Sequence, residues 1–366
     1  MSDPSTTDVA WMQRCRELAS QAAGKTSPNP LVGSVILQNG QVVGEGFHPG
    51  AGQPHAEVFA LRAAGDRAQG ATLYVNLEPC NHTGRTPPCT EAVIAAGIKR
   101  VVIGMIDPAP WVAGKGVTRL RQAGIAVTVG VDEVACQKLN EAFSHSVLQQ
   151  RPFGILKYAM TLDGKIAASS GHSAWVTGAA SRAWVHRLRS HCDAVIVGGQ
   201  TVRRDNPRLT SHGQGDRNPT RIVMSRHLDL PAQANLWDVS QAKTLVFCSS
   251  ERSSEREQQL QQQGVEVIVL PVLEPLEMLK VLHERGFQSV LWECGGQLAA
   301  RAIAQNCVQK VDAFVAPKII GGTTAPTPVG ELEIFKMNEA IALTDVTVTQ
   351  IAPDVLIEGY IAHSAH

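Results

Sequence analysis

Apolar positions along this chain come in short blocks whose period switches between that of a helix and that of a strand. Val9, Met12, Leu18 and Ala22 fall near one face, which predicts a helix over 8–24 capped by Asp8 and closed by Gly24. The stretch "LVGSVILQNGQVVGEGFH" carries two β-branched runs around Asn39-Gly40, the signature of a hairpin with a tight type I′ turn. Helices ("HAEVFALRAAG", "CTEAVIAAG", "GVTRLRQAG") then alternate with strands ("ATLYVNLEP", "RVVIGMI", "IAVTVG"), and a long helix is expected over 132–148. The polar break "QQRPF" at 149–153 reads as a linker between a first domain, 1–148, and a second, 154–366. In the second, "ILKYAMTLDGKIA" predicts another hairpin turned at Asp163-Gly164, and "SRAWVHRLRSHC" predicts a helix. "DAVIVGG", "RIVMS", "KTLVFCS", "VEVIVLP", "SVLWECGG" and "VDAFVAPKII" predict strands. Helices are expected over 251–263, 276–285 and 297–305, with two antiparallel strands closing the chain. This alternation implies an α/β fold class, with sheets covered by helices.

Composition narrows the function. Lys plus Arg and Asp plus Glu both number 33, so there is no basic excess for gripping a nucleic-acid backbone, and a small-molecule substrate is favoured over nucleic acid. No charged-then-apolar leader opens the sequence, and no run approaches the ~18 apolar residues of a membrane span. The eight cysteines lack a framework spacing, which points to free thiols or metal ligands in a reducing cytoplasm.

The sharpest chemistry lies in "PHAEV" and "EPCNHTGRTPPC". His55 and Glu57 fall at a helix start, Cys80 at a strand end and Cys89 at the start of the next helix. One histidine and two cysteines make a three-ligand zinc set that leaves a fourth position for water, whose pKa the ion lowers toward about 7. Glu57, two residues from a ligand, is placed to shuttle a proton. Together these parts suit hydrolytic deamination of an amidine-like ring carbon, in the order of the His-x-Glu…Pro-Cys zinc deaminases. His82, between the cysteines, could instead complete a closed structural site. The eight residues between Cys80 and Cys89 exceed the about two to four usual in structural zinc motifs. In the second half, "WECGGQLAARAI" is a strand, two glycines and a helix, which lets a phosphate approach backbone N–H groups but also describes an ordinary strand-to-helix turn.

"TSPNPLVGSVI", "HAEVFAL", "NLEPCNHTGRTPPC" and "DPAPWVAGKGV", with "LKYAMTLDGKIA", "SAWVTG", "VGGQTVRRDNPRLT" and "WECGGQLA", resemble the RibD family of bifunctional riboflavin-biosynthesis proteins over the whole chain. The resemblance implies a cytidine-deaminase-like three-layer α/β/α domain binding one Zn2+, followed by a dihydrofolate-reductase-like α/β domain binding NADPH. It implies deamination of 2,5-diamino-6-ribosylamino-4(3H)-pyrimidinone 5′-phosphate and then reduction of the ribosyl group to ribityl, by hydride delivery to C1′ of an opened imine. Asn29 would hold the substrate, His48, His82 and Arg85 would face its ribose phosphate, and Asp107 would order the pocket rim. Ala159, Trp175, Thr201, Asp205 and the turn Gly295, Gly296, Gln297, Leu298, Ala299, Ala300, Arg301 would line the cofactor. Lys157, Ser173, Arg189, Leu209 and Glu293 would face the substrate. The family commonly carries an arginine shortly after "LT"; this chain has His212 there, with Arg208 just before Leu209 as the compensating cation. A homo-oligomer, most simply a dimer, is expected. The competing reading is a nucleoside or tRNA-base zinc deaminase with an accessory second domain.

Overall fold

The computed structural model describes residues 6–82 and 87–362. The chain divides into two compact units, Met1–Gln150 and Arg151–His366.

In the first unit, α1 (Thr6–Ser20) leads into the hairpin β1 (Gly33–Gln38) and β2 (Gln41–Phe47). Asn39 and Gly40 both take positive φ, 51° and 77°, as a type I′ turn demands. The helices α2 (Ala56–Ala64), α3 (Cys89–Ala95) and α4 (Lys115–Gln122) alternate with β3 (Thr72–Leu77), β4 (Arg100–Met105) and β5 (Ala126–Val129); α5 (Glu133–Leu139) and α6 (Glu141–Gln149) follow. The sheet order is β2-β1-β3-β4-β5, antiparallel at the hairpin and parallel from β3 to β5. Alternate side chains feed two cores. Ile36, Leu73, Val75, Val101 and Ile103 pack under α2, α3 and α4, while Val35, Tyr74 and Val102 meet Met12, Cys15 and Leu18 of α1. Helices thus cover both faces.

The second unit holds β6 (Phe153–Thr161), α7 (Ala179–His191), β7 (Ala194–Gly198), α8 (Gly199–Asp205), β8 (Thr220–Met224), β9 (Thr244–Cys248), α9 (Ser254–Gln262) and β10 (Glu266–Val269). α10 (Pro275–Glu284), β11 (Ser289–Trp292), α11 (Gly296–Ala304), β12 (Lys310–Ala316), β13 (Leu343–Ile351) and β14 (Asp354–Ile361) complete it. The nine strands run β10-β9-β8-β7-β11-β6-β12-β14-β13, parallel up to β12, with β14 and β13 antiparallel at the edge.

Three local expectations give way to tertiary contacts. Asp8 does not cap α1; it lies inside the first turn, where its carboxylate accepts from Arg100 and from the Tyr74 hydroxyl. The long helix over 132–148 breaks at buried Asn140, whose side chain accepts from Leu31 N and donates to Leu31 O. The turn at Asp163-Gly164 forms, yet no returning strand pairs with β6, which lies between β11 and β12 at the sheet centre.

Candidate functional site

The metal-ligand candidates of the first unit are positioned by two glycines. A Cβ on Gly44 would lie 2.2 Å from Ala60 O, and one on Gly46 would lie 2.5 Å from Phe59 Cβ. Their absence lets α2 lie directly on β2, which fixes the helix N-terminus that carries His55 and Glu57. Cys80 follows the end of β3, and Cys89 opens α3. Among the described residues, His55, Cys80 and Cys89 form a group whose ligand atoms all lie within 4.8 Å of one another. His55 Nδ1 is 3.2 Å from Cys89 Sγ and 3.5 Å from Cys80 Sγ, and Cys89 N donates to Cys80 Sγ at 3.4 Å. Hydrogen bonding from Cys89, and then from His55, pulls the Cys80 thiol below its usual range, the direction a metal-ready thiolate needs.

Glu57 is buried beside this group, and its Oε2 has no hydrogen-bond partner. Burial, and then the charge of Cys80, push its carboxyl up to about 7. A nitrogen and two sulfurs converging beside an unpartnered buried carboxylate oxygen fit a catalytic zinc ion with one open position. His82 lies outside the three-ligand group, which removes the reading of a closed site.

The surrounding candidates fall in different places. Asn29 Nδ2 and His48 Nε2 are 3.0 Å apart, and His48 Nδ1 is 3.0 Å from Pro54 O, so both ring nitrogens of buried His48 are engaged. His82 is exposed. Arg85 falls outside the described residues. Asp107 accepts from Ala109 N at 2.9 Å, and burial raises its carboxyl above the usual range. Sequence reasoning missed Glu78. Its buried carboxylate accepts from Asp107 N, Gly114 N, Gly116 N and Val117 N at 2.8–3.2 Å, tying the loop after β4 to the strand end that leads to Cys80. Its place directly before Pro-Cys was the available signal.

The second unit has its own cleft of about 270 Å3, lined by Lys157, Ala159, Ser173, Trp175, His186 and Arg189 among others. At its floor, Glu293 Oε2 pairs with Lys157 Nζ at 2.8 Å, and Oε1 accepts from Arg189 Nε at 2.5 Å. The two cations, foremost among the opposing effects, hold the carboxyl far below its usual range against the cost of burial. Arg189 spends Nε and Nη2 on Glu293 and one Nη1 hydrogen on Thr210 O, so two of its five N–H groups stay available. The Arg182 guanidinium lies 4.4 Å over the Trp175 ring and donates to Thr177 O, while Lys318 Nζ donates to Trp175 O and Val176 O. His186 stacks on His212 with ring centroids 4.3 Å apart. Arg182 and His186 escaped the sequence reading, although their spacing with Arg189 puts all three near one face of α7.

Of the cofactor candidates, Ala159 and Trp175 line this cleft, and the others lie where the neighbouring parallel strands β7 and β11 end. The turns Gly198-Gly199 and Gly295-Gly296 lie side by side there, with Gly198 facing Leu298. Such a crevice at strand C-termini is where open α/β sheets take nucleotides. A Cβ on Gly295 would meet nothing within 4 Å, leaving room for a phosphate, whereas Gly296 is required by the backbone of Thr327 and Gly330. Gln297 and Leu298 continue that turn into α11, and Thr201 and Asp205 belong to α8 on the other side. Ala299 and Ala300 are buried, 0% and 5% exposed, and belong to the packing beneath the turn. Arg301 ion-pairs with Glu274. Leu209 is buried at φ 55°, and Arg208 is exposed. The open glycine and the adjacent polar cleft fit a dinucleotide such as NADPH.

A zinc-ready His-Cys-Cys group with a buried glutamate, followed by a nucleotide-type crevice in a separate parallel sheet, defines a deaminase joined to a reductase. The cytidine and deoxycytidylate deaminase zinc-binding region matches residues 5–105, and the RibD C-terminal domain matches residues 152–357. The riboflavin biosynthesis protein RibD of Synechocystis sp. is 62% identical over 97% of this chain and 96% of its own length, and that of Aquifex aeolicus is 40% identical over 96% and 97%. RibD of Acinetobacter baumannii superposes with a TM-score of 0.88 at 37% identity, over 97% of this chain and 99% of that one. A Thermotoga maritima structure described as a diaminohydroxyphosphoribosylaminopyrimidine deaminase/5-amino-6-(5-phosphoribosylamino)uracil reductase gives 0.85 at 36%, with the same coverage. The chain belongs to the RibD family. A base deaminase with an accessory domain is not favoured, because the likeness spans both units.

Proposed function

We infer that the chain carries out two successive steps of riboflavin biosynthesis: deamination of 2,5-diamino-6-ribosylamino-4(3H)-pyrimidinone 5′-phosphate, then NADPH-dependent reduction of the ribosyl group. The observation that carries this reading is the convergence of His55, Cys80 and Cys89 beside buried Glu57. Bound zinc supplies an activated water at neutral pH. We assign Glu57 Oε2 the proton work: it takes a proton from the attacking water and passes it to the ring nitrogen, then takes the proton of the newly bound hydroxyl and passes it to the departing amine. The water oxygen bonds to the amino-bearing ring carbon, and that carbon's bond to nitrogen breaks to release ammonia.

In the second unit a bound NADPH would supply a hydride to C1′ of the opened imine, whose nitrogen would take its proton from solvent. Glu293 holds Lys157 and Arg189 in place at the cleft floor, and the two remaining Arg189 N–H groups face the substrate, its phosphate being the group they suit. Ser173 and Trp175 line the same cleft. A chelator that strips zinc should abolish ammonia release from the diaminopyrimidine phosphate and leave NADPH oxidation with the deaminated intermediate intact. Loss of both activities, or of neither, would refute this division of labour.

We also propose that the protein works as a homodimer built on the second unit. Phe335, Met337 and Val348 are 86%, 90% and 68% exposed along β13, the sheet edge, and the segment before it, and free edges and apolar patches of this kind are covered in stable proteins. Light scattering should give twice the 39.2 kDa chain mass, and a monomer at micromolar concentration would overturn the proposal. No helix of the described residues is long and apolar enough to cross a membrane, and all eight cysteines are free, which supports placing the protein in a reducing cytoplasm.

A further inference from the structure

His48 stands between a metal-ligand candidate and a substrate-contact candidate. It is 2% exposed, and its ring meets that of His55 edge-on with centroids 5.4 Å apart. The Pro54 carbonyl oxygen, 3.0 Å from Nδ1, can only accept, so Nδ1 carries the hydrogen. The Asn29 Nδ2 group lies 3.0 Å from Nε2 and can only donate, so Nε2 is the acceptor. That arrangement leaves Asn29 Oδ1 pointing away from His48.

The backbone around Asn29 is pinned as well. Asn29 N donates to Thr26 O at 2.8 Å. Asn76 and Asn140 both donate to Leu31 O, Asn140 accepts from Leu31 N, and Asn76 accepts from Gly33 N at 2.7 Å. A side chain fixed at both its backbone and its amide nitrogen keeps two polar groups for a ligand, Oδ1 and the second Nδ2 hydrogen. His48, with both nitrogens engaged, has none.

We propose that His48 is a positioning residue that locks the Asn29 amide, so that Asn29 Oδ1 selects a hydrogen-bond donor, N–H or O–H, on the pyrimidine ribosylamine substrate. The assignment rests on the deaminase reading above. It replaces the sequence expectation that His48 itself touches the ribose phosphate. Specificity at this point then comes from polarity: a substrate offering an acceptor there leaves Oδ1 facing a lone pair.

A double-mutant cycle tests it, with ammonia release as the readout. His48→Phe keeps a ring in the site and frees the amide; it should lower deaminase kcat/KM about tenfold, chiefly through KM, the scale of one lost hydrogen bond. Asn29→Ala should lower it by a similar or larger factor. Because His48 acts through Asn29, the double variant should be no worse than Asn29→Ala alone. His48→Gln, whose amide oxygen can still accept from Asn29, should recover part of the loss. Zinc content and NADPH oxidation with the deaminated intermediate should match the parent in every variant. A double variant reduced by the product of the two single effects would overturn the proposal, as would loss of zinc in His48→Phe. Absence of ammonia release from the parent protein would instead refute the deaminase reading.

Discussion

Replacing Glu57 with glutamine should leave the protein folded and zinc-loaded while ammonia release falls by about 10²–10⁴-fold, the range in which a positioned general acid–base contributes. Glutamine is nearly isosteric and fits the buried space beside the ligands, and it is not one of the three metal-binding groups. What it lacks is an oxygen that can take up a proton and give it back. The unpartnered Oε2 is the atom that matters, because a carboxylate serving only to hold the fold would have its hydrogen bonds filled. Metal analysis beside the activity assay separates the proton role from metal binding: full activity with zinc retained would assign the proton work elsewhere, and loss of zinc would make Glu57 a support of the ligand group.

The second large effect is expected at Glu293. Its carboxylate is 8% exposed and neutralises Lys157 and Arg189 together. Glu293→Gln removes the charge and leaves two partly buried cations without their shared carboxylate, a loss of up to about 3–5 kcal/mol by analogy with broken buried pairs. Urea unfolding should show a lowered midpoint, and NADPH oxidation should fail while ammonia release persists. The pH dependence has a definite sign. Because the folded-state pKa lies below the unfolded value of about 4.3, the stabilisation is complete above that value. It is lost as pH falls through the folded pKa. Acid unfolding of the parent should therefore steepen only below about pH 4, and the variant should lack that component. An unchanged midpoint would mean that the cations find other partners.

What the sequence disclosed was local in origin. The type I′ turn at Asn39-Gly40 is set by two residues, and alternation within β1, β3 and β4 marks which side chains enter which core. The metal group was legible because thiols and imidazoles at strand ends and helix starts have few other uses in that combination. The misses share one cause, which is contact with chain far away in sequence. Asn140 interrupts a helix because Leu31 claims its amide, and Asp8 is drawn inside a helix turn by Arg100 and Tyr74. β6 looked like half of a hairpin because its apolar residues say that it is buried, not which strands will flank it. Glu78 is a polar residue whose partners are backbone atoms, and backbone atoms carry no sequence signal. The exposed site of Arg301 and the buried side chains of Ala299 and Ala300 show that a matched motif can mix ligand-facing residues with plain packing.

The central claim is that one chain deaminates first and then reduces the product. The most direct measurement follows ammonia release and NADPH oxidation together, starting from 2,5-diamino-6-ribosylamino-4(3H)-pyrimidinone 5′-phosphate and the zinc-loaded protein. The account predicts equal final amounts of both, with ammonia leading and with NADPH oxidation absent in Glu57→Gln until the deaminated intermediate is added. NADPH oxidation from the diamino compound without ammonia release would contradict it.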